Sequence, residues 1–331
     1  MKNLVILFGL LFGMILGLQA QPSYDFILKN DLPLDKSYVL EIDDNHLFFA
    51  KNNVLFILDI TDPEALVLRK ELVLESIPSD IKVIEDKLFV ALDRKGVYCY
   101  DIGVIDAPLI LGYYEVDYLY QRMAIHGNEV CLIHSDGIEV IDFNNPSQPE
   151  LLNYISMTTM PTAITQYEDY LLVSSFDELS IIDIHTPEFP SIVYTMDIPF
   201  ASDMEVIGNI AILATMNNIY SVDLANILYP EIINNFKDPF QISKMDVENN
   251  NLYGCSASGN LVILRVEEGA VSVLQGINNS EQYQDILVDN NYAYLINKRG
   301  GLDVYNVSNL LDIRKVAHFD EALYPQVYFV F

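Results

Sequence analysis

Short apolar runs alternate with turn residues along the chain in units of 40 to 42 residues. The seventh unit shows the pattern best, with apolar runs at 284–288, 292–296, 302–307 and 314–319. Within each unit, no window of ten or more residues keeps the 3.6-residue spacing of an amphipathic helix. The pattern therefore predicts an all-β protein with four strands in each unit.

A three-residue phrase recurs near the end of the third run of every unit, with aspartate at its centre in five of the seven. A constant period of this length indicates a repeat array. The phrases are Leu58-Asp59-Ile60, Tyr100-Asp101-Ile102, Ile141-Asp142-Phe143, Ile182-Asp183-Ile184, Val222-Asp223-Leu224, Leu264-Arg265-Val266 and Tyr305-Asn306-Val307. A carboxylate just ahead of a turn accepts N–H bonds from the residues that follow it. We therefore expect these aspartates to stabilise turns.

Gly, Asn and acidic residues occupy the first corner of each unit, between its first and second runs. The first corners are Asp44-Asn45, Glu85-Asp86, Gly127-Asn128, Glu168-Asp169, Gly208-Asn209, Asn249-Asn250 and Asp289-Asn290. Gly, Asn and Asp readily adopt the positive φ of tight hairpins, so the strands should be antiparallel. Four-stranded antiparallel sheets repeated radially form a β-propeller. We predict seven blades, with an eight-bladed or incompletely closed ring as the alternative.

The two ends of the chain extend beyond these units. Apolar runs at 24–29 and 324–331 resemble a last and a first strand. We expect one of them to close the ring by pairing into a blade built from the other end. Residues 1–20 combine Lys2, an apolar stretch at 4–18 and Leu18-Gln19-Ala20, the pattern of a signal peptide.

That leader implies a protein that works outside the cytoplasm. The apolar stretch is short for a permanent bilayer span, which is the alternative to cleavage, and no later stretch is long and apolar enough to cross a membrane. We expect residues 21–331 to form a single propeller domain of seven repeats, without membrane insertion after cleavage. The mature protein would be secreted, periplasmic or at the cell surface.

The net charge of the chain limits the classes of partner that it can bind. The sequence has 18 basic and 47 acidic residues, a formal charge of −29. Such a surface repels nucleic acid and anionic lipid, and it favours a soluble monomer. The remaining partners are an unknown protein or a glycan. Cys99, Cys131 and Cys255 lie in apolar runs, so we expect buried free thiols, with a Cys99–Cys131 disulfide as the alternative.

Two segments carry a family resemblance. Asn291-Tyr292-Ala293-Tyr294-Leu295 with 301–309, and residues 137–146, resemble the LVIVD repeat of secreted and cell-surface bacterial proteins. The likeness covers about residues 35–320, but the sixth unit has Arg265 for the aspartate and Glu267-Glu268-Gly269 for the proline turn. The resemblance implies a propeller in an extracellular setting, and it transfers no catalytic motif.

Polar residues that differ between blades lie on one side of the innermost strands, where they are expected to face the central channel. The ligand-binding candidates are Lys82, Arg122, Asp203, Glu205, Lys244 and Asp246. In the seventh unit the same count back from the corner selects Gln284 and Ile286. Glu205 and Asp246 are also the candidates for a catalytic pair, since glycoside hydrolysis or a lyase reaction uses two carboxylates.

No metal or cofactor site is predicted, because the histidines and cysteines are dispersed. Calcium at the acidic corner Glu41-Ile42-Asp43-Asp44 is the alternative. Four aromatic residues at comparable places in the links between blades either pack as wedges or form an exposed rim: Tyr120, Phe200, Phe240 and Tyr283.

The sequence thus predicts a non-catalytic, exported scaffold that binds a protein or a glycan at the cell envelope. Rigid scaffolds with variable loops commonly present binding residues in this way. Two alternatives remain: a channel enzyme that acts on polysaccharide, of the glycoside hydrolase or lyase type, and a structural module of a surface assembly.

Overall fold

The structure, a computed structural model, describes residues 38–116, 118–256, 258–278 and 281–320. The side chains of three residues within strands, Tyr38, Tyr120 and Gln121, are outside this description. The described residues form 28 β-strands and no helix. Accordingly, they contain no helix long and apolar enough to cross a membrane. The predicted leader at 1–20 lies outside the described residues.

The strands fall into seven groups of four. The first four blades contain β1 (Tyr38–Asp43), β2 (His46–Lys51), β3 (Val54–Asp59), β4 (Val67–Val73); β5 (Pro78–Ile84), β6 (Lys87–Leu92), β7 (Gly96–Asp101), β8 (Leu109–Tyr114); β9 (Tyr120–His126), β10 (Glu129–His134), β11 (Gly137–Asp142), β12 (Glu150–Ser156); and β13 (Ala163–Tyr167), β14 (Tyr170–Ser174), β15 (Leu179–Asp183), β16 (Ser191–Met196).

The remaining three blades follow the same order. They contain β17 (Ala201–Ile207), β18 (Ile210–Thr215), β19 (Asn218–Asp223), β20 (Glu231–Lys237); β21 (Lys244–Glu248), β22 (Asn251–Cys255), β23 (Asn260–Glu267), β24 (Ala270–Asn278); and β25 (Tyr283–Asp289), β26 (Tyr292–Asn297), β27 (Leu302–Asn306), β28 (Arg314–Phe319).

Each blade is an antiparallel sheet of four consecutive strands. The innermost strands β1, β5, β9, β13, β17, β21 and β25 contact one another in that order, and β25 contacts β1. The seven blades therefore form a closed ring, which confirms the predicted seven-bladed β-propeller. This topology also defines two faces. The first corners and the turns between third and fourth strands lie on one face, the first-corner face. The turns between second and third strands, called here the second corners, and the links between blades lie on the opposite face, the link face.

The ring closes without exchange of strands between its ends. The first and last blades are each complete, β1–β4 and β25–β28. The expectation that an end strand completes a blade started at the other end is therefore wrong for the described blades, and the runs at 24–29 and 324–331 lie outside the described residues. Side-chain packing seals the junction: Phe49 stacks on Phe56 at 4.8 Å, and Phe319 of blade 7 meets Phe49 edge-on at 5.7 Å.

The second and third strands of each blade explain the long apolar runs in the sequence. Leu47 to Ala50 in β2 and Leu55 to Leu58 in β3 are fully buried, because each blade is covered on both faces by its neighbours. The buried residues form seven apolar clusters, one at each junction between blades. Outermost strands such as β4 are largely exposed or half-buried. Blade-to-blade packing therefore supplies most of the apolar burial.

The repeated aspartates stabilise turns, as predicted. In each of the five phrases the Oδ1 atom accepts the N–H of the residue two positions on. The bonds reach Thr61 at 3.0 Å, Gly103 at 2.9 Å, Asn144 at 2.6 Å, His185 at 2.9 Å and Ala225 at 2.8 Å. Asn306 does the same for Ser308 at 3.1 Å.

The first corner of blade 7 differs from its prediction by one residue. Asn290 and Asn291 have φ of 51° and 63°, so the hairpin turns there and not at Asp289-Asn290. Two adjacent asparagines accept this conformation better than an aspartate at the end of a strand. The inward-facing residues of β25 therefore also shift by one position relative to the sequence count.

The three cysteines are buried free thiols, as predicted. Cys99 belongs to the cluster between blades 2 and 3, and Cys131 belongs to the cluster between blades 3 and 4. The alternative Cys99–Cys131 disulfide is wrong, because the two side chains pack into different junctions.

Candidate functional site

Two positions on each innermost strand lie four and two residues before the end of the strand, on the side that carries the polar residues singled out in the sequence. We call them the channel positions. The first set is Val39, Asp80, Arg122, Ala163, Asp203, Lys244 and Asp285; the second is Glu41, Lys82, Ala124, Thr165, Glu205, Asp246 and Leu287. All six ligand-binding candidates belong to these sets. In blade 7 the channel residue is Asp285 and not Gln284, while Ile286 is buried between blades 6 and 7.

Three aspartates of the first set join neighbouring blades. Each accepts an N–H from the innermost strand of the next blade, and Asp80 and Asp285 also accept, with the other oxygen, the N–H of their own next residue. Asp80 binds Met123 at 2.7 Å, Asp203 binds Met245 at 2.9 Å, and Asp285 binds Leu40 at 3.1 Å. The last of these bonds links blade 7 to blade 1. We call this arrangement a carboxylate clamp.

Two acids of the second set form the same kind of contact. Asp246 accepts the N–H groups of Val247 at 2.7 Å and of Val288 in blade 7 at 2.6 Å. Glu41 contacts the N–H of Val83 in blade 2 at 3.5 Å, and Lys82 Nζ lies 3.0 Å from its other oxygen. Five of the seven junctions therefore carry a carboxylate that contacts the backbone of the next blade.

Blades 3 and 4 lack such a carboxylate. Their channel positions hold Arg122, Ala124, Ala163 and Thr165, and Arg122 of blade 3 reaches past blade 4 to Asp203 of blade 5, with Nη1 3.2 Å from Oδ1. The Thr162 hydroxyl donates to the carbonyl of Ala201 at 3.0 Å across the junction of blades 4 and 5. Small side chains at these positions leave open space inside the ring.

That space is a cavity of about 330 Å3. Its polar and small lining residues are Asp80, Lys82, Arg122, Ala124, Thr165, Gln166, Asp203 and Glu205. Three of the lining residues, Ile84, Ile125 and Gln166, lie near the ends of their strands beside the first corners. The cavity, named here the channel cavity, therefore lies toward the first-corner face.

Burial raises the pKa values of several acids at the channel positions. It raises the pKa of Asp203 to about 6 against the opposing charge of Arg122, and it raises the pKa of Asp285 to about 6. It also raises the pKa of Asp246 to about 7, against two backbone N–H bonds that favour the carboxylate. Burial lowers the pKa of Lys82, but the charges of Glu41 and Asp80 outweigh it and the net shift is upward.

Glu205 differs from every other acid at the channel positions. Among the described residues, its carboxylate has no hydrogen bond or ion pair. Burial, together with the charges of Asp203 and Asp246, raises its pKa well above the usual value. Asp246, its predicted catalytic partner, uses both oxygens in backbone bonds. The two carboxylates thus have different roles: Asp246 holds two blades together, and Glu205 faces the cavity.

The acidic corner at residues 41–44 does not gather its carboxylates. Glu41 forms an ion pair with Lys82 of blade 2, and Asp44 lies in the turn itself. Within the described part of the chain, no group of three or more His, Cys, Asp or Glu side chains is placed to hold a metal ion. Calcium at this corner stays a hypothesis from the sequence.

A second cavity opens on the link face between blades 4 and 5. It has a volume of about 550 Å3, and we call it the apolar pocket. Its lining is Phe176, Pro199, Phe200, Thr215, Met216, Asn217, Asn218 and Tyr220. Phe176 is 55% exposed and Met216 is 73% exposed, and the rings of Phe176 and Phe200 lie 5.9 Å apart. The rim candidate Phe200 therefore lines an open, apolar concavity.

Backbone hydrogen bonds hold the walls of the apolar pocket in place. The Phe200 N–H donates to the carbonyl of Phe176 at 2.9 Å, which ties the link to the second corner of blade 4. The Thr215 hydroxyl donates to the carbonyl of Asn218 at 2.7 Å and fixes the second corner of blade 5. Sequence analysis missed Phe176 and Met216, although both lie at second corners where turn residues are expected.

The other rim candidates do not share this environment. Phe240 is half-buried and packs against the cluster between blades 5 and 6. Tyr283 is fully buried. Its hydroxyl lies 2.8 Å from the hydroxyl of Tyr305 and donates to the carboxylate of Asp303 at 3.2 Å. Tyr283 therefore follows the packed alternative and not the exposed rim, because it occupies the ladder place of Ala201 and not that of Phe200. The side chain of Tyr120 lies outside the described residues.

Comparison with protein families identifies the repeat. A model of the LVIVD repeat matches residues 39–72 and 282–312. These segments cover most of blade 1 and the larger part of blade 7. No curated protein sequence matches the chain.

Solved structures share the fold at low sequence identity. A protein of unknown function from Desulfotomaculum acetoxidans DSM 771 superposes with a TM-score of 0.71 at 11% identity, over 83% of this chain and 96% of that one. A β-propeller domain from Myceliophteria thermophila gives 0.68 at 13% identity, over 83% and 97%. PorZ, a surface component of the type-IX secretion system of Porphyromonas gingivalis, gives 0.62 at 14% identity, over 85% of this chain and 38% of PorZ. Identities this low show the fold alone.

Proposed function

Because the chain carries LVIVD repeats and folds as a seven-bladed β-propeller, we propose that it is a non-catalytic binding scaffold that engages a partner protein through the apolar pocket. The observation that carries the proposal is the exposure of Phe176 and Met216 around a concave site of about 550 Å3. Exposed apolar concavities of this kind commonly mark interaction sites.

The lining of the apolar pocket favours a protein segment over a glycan. Phe176, Phe200 and Met216 present rings and a flexible thioether, which pack well against apolar side chains. The polar groups that hold the walls, Thr215 and Asn218, are already bonded to each other. A sugar would need free donors and acceptors at such a surface, whereas an apolar side chain needs only to displace water.

The charges beside the apolar pocket define its partner further. Asp177 and Asp197 are exposed and Glu178 is half-buried, all within a few residues of the lining, while Lys237 lies opposite Asn218 in the ladder. The whole chain carries a formal charge of −29. The occupant that fits this surface is a protein segment with an aromatic or aliphatic anchor flanked by lysine or arginine.

The proposed setting is outside the cytoplasm. It is supported by the signal peptide expected at residues 1–20 and by the surface location of PorZ, which has the same fold. Mass spectrometry of the protein purified from its native host should find Gln21 near the mature N-terminus. An intact residue 1 on the folded, soluble protein would contradict this setting.

Selection from a random displayed peptide library tests the proposed binding mode. Immobilised protein should enrich peptides with an apolar anchor next to basic residues. Met216→Asp should weaken the selected peptides by roughly tenfold or more, because it places a charge where the anchor is buried. The matched control is Phe189→Asp, an equally exposed apolar residue on the first-corner face, 80% exposed.

The outcomes separate the candidate partners. No enrichment of a motif, or equal binding by wild-type and Met216→Asp proteins, would overturn the protein-binding proposal. A glycan array run in parallel checks the other partner class. A glycan that binds the wild-type protein and loses binding in Met216→Asp would replace the peptide as occupant of the apolar pocket.

A further inference from the structure

The channel cavity exists because two neighbouring blades carry small side chains where the others carry long or charged ones. Ala124 and Thr165 lie on its wall, and the Arg122–Asp203 pair bridges the gap left by blade 4. Blade 3 is joined to blade 4 near the first corners by contact between Gln166 and His126 at 3.0 Å. The Arg122–Asp203 ion pair and the Gln166–His126 hydrogen bond therefore hold the walls of the channel cavity in place.

The charges at the channel positions are out of balance. Six acids, Glu41, Asp80, Asp203, Glu205, Asp246 and Asp285, stand against three bases, Lys82, Arg122 and Lys244. Each base is already engaged: Lys82 with Glu41 at 3.0 Å, Arg122 with Asp203 at 3.2 Å, and Lys244 with Asp203 and Asp285 at 3.8 and 4.0 Å. No described base is therefore left for Glu205.

We propose that the channel cavity binds an organic cation with a primary ammonium group, which forms an ion pair with the carboxylate of Glu205. The cavity lining supports this class of ligand over an anion, because the nearby Lys82 and Arg122 are held by Glu41 and Asp203. A primary ammonium group can also donate hydrogen bonds to Thr165 or Gln166 beside Glu205, since it carries three donors. This site lies toward the face opposite the apolar pocket, so it is independent of the proposed protein partner.

The electrostatics of Glu205 agree with this ligand. Burial and the charges of Asp203 and Asp246 hold its pKa well above the usual value. A bound ammonium group would favour the ionised carboxylate and lower that pKa. Binding should therefore release protons and should strengthen as the pH rises, as long as the amine itself stays protonated.

Titration calorimetry with cadaverine tests the proposal. Cadaverine should bind the wild-type protein, and Glu205→Gln should weaken it by roughly tenfold to a hundredfold, the range for loss of a charged hydrogen bond. The matched control is Glu231→Gln, an exposed glutamate on the outermost strand of the same blade, which should leave binding unchanged. Affinity should rise with pH above the usual titration range of a glutamate, as long as the pH stays below the ordinary pKa of an alkyl amine.

Two further variants keep the test decisive. Thr165→Leu fills the channel cavity without altering its charge, so it should also weaken the binding of cadaverine. Met216→Asp alters only the apolar pocket and should not affect cadaverine, so a failure here is separate from a failure of the proposed protein binding. No binding at millimolar cadaverine, equal binding by Glu205→Gln, or preferential binding of glutarate would overturn the proposal.

Discussion

At the residue scale, the position of a carboxylate decides what it does in this protein. Asp142, in the repeated phrase, accepts one N–H two residues ahead and stays on the surface. Asp80, on an innermost strand, uses both oxygens to join two blades. Glu205 occupies a neighbouring channel position and contacts no described partner. The same chemical group therefore caps a turn, holds a junction or faces a cavity according to its neighbours.

The turn-capping role predicts a small and selective effect of mutation. Asp142→Ala should lower the free energy of unfolding by about 1 kcal/mol, because the N–H of Asn144 loses its acceptor. Asp142→Asn should cost less, since Asn306 already caps the corresponding turn of blade 7. Urea unfolding of both variants measures the difference. Equal losses for the two would show that the charge, and not the hydrogen bond, stabilises the turn.

Some residue roles followed from the sequence and others did not. The repeat spacing selected equivalent positions of the innermost strand in six blades. It failed in blade 7, where Asn290-Asn291 and Asp289-Asn290 are equally plausible corners and only the ladder distinguishes them. That shift of one position hid Asp285, which links blade 7 to blade 1. It also placed Tyr283 on the rim when the side chain belongs to the core.

At the element scale, the departures of blade 6 from the repeat have a structural reason. Its third and fourth strands, β23 and β24, are the longest in the ring, and a two-residue turn at Glu268 and Gly269 joins them directly. The other blades have a longer turn at this point, which an aspartate caps in five of them and Asn306 caps in blade 7. Blade 6 has no such turn to cap, so Arg265 can replace the aspartate.

The apolar pocket could not be predicted from the periodic pattern. Second corners are expected to be polar turns, and only the fold shows that Phe176 and Met216 approach Phe200 from two different blades. The pattern identifies the elements and their order. It does not report which variable residues of neighbouring elements meet in space.

Gly112 of β8 tests how closely one blade fits the next. A Cβ atom at this position would lie 1.7 Å from the carbonyl oxygen of Pro146 in blade 3. Gly112→Ala should therefore cost about 2 to 3 kcal/mol in unfolding free energy, the upper range for overpacking. Gly208→Ala is the control, with φ of 60° and no atom within 4 Å, and should cost about 1 kcal/mol. Equal losses would contradict the close fit of blades 2 and 3.

At the scale of the whole molecule, the ring is held by apolar clusters at every junction and by carboxylates at five of them. The sequence predicted the number of blades, because the period and the turn residues repeat regularly. Ring closure was harder to predict, since the contacts of Phe319 with Phe49 and Phe56 join residues far apart in the chain. No repeat pattern carries that information.

The raised pKa values of the channel acids predict how the stability of the protein depends on pH. In the folded protein the pKa values of Asp203 and Asp285 are raised to about 6 and that of Asp246 to about 7. Between about pH 4 and pH 7 the folded state therefore binds more protons than the unfolded state, so stability falls as the pH rises through this window. Surface acids such as Asp59 have a lowered pKa, and their contribution is lost only at more acidic pH.

Urea unfolding should consequently show a higher midpoint near pH 5 than near pH 7.5. Glu205→Gln should reduce this difference, because it removes one buried acid with a raised pKa, while Glu231→Gln should have little effect. Repeating the measurement with added salt distinguishes two causes of this pH dependence. Salt screens repulsion between surface charges but screens the buried acids much less. A higher midpoint at pH 7.5 than at pH 5 would contradict this account of the channel.

Hydrogen–deuterium exchange with and without a library-selected peptide shows whether binding occurs between blades 4 and 5 on the link face. We expect slower exchange confined to amides around Phe176, Phe200 and 215–220, with the first corner at Gly208-Asn209 unchanged. Protection at the first corners or along the channel, or no protected segment at all, would contradict it.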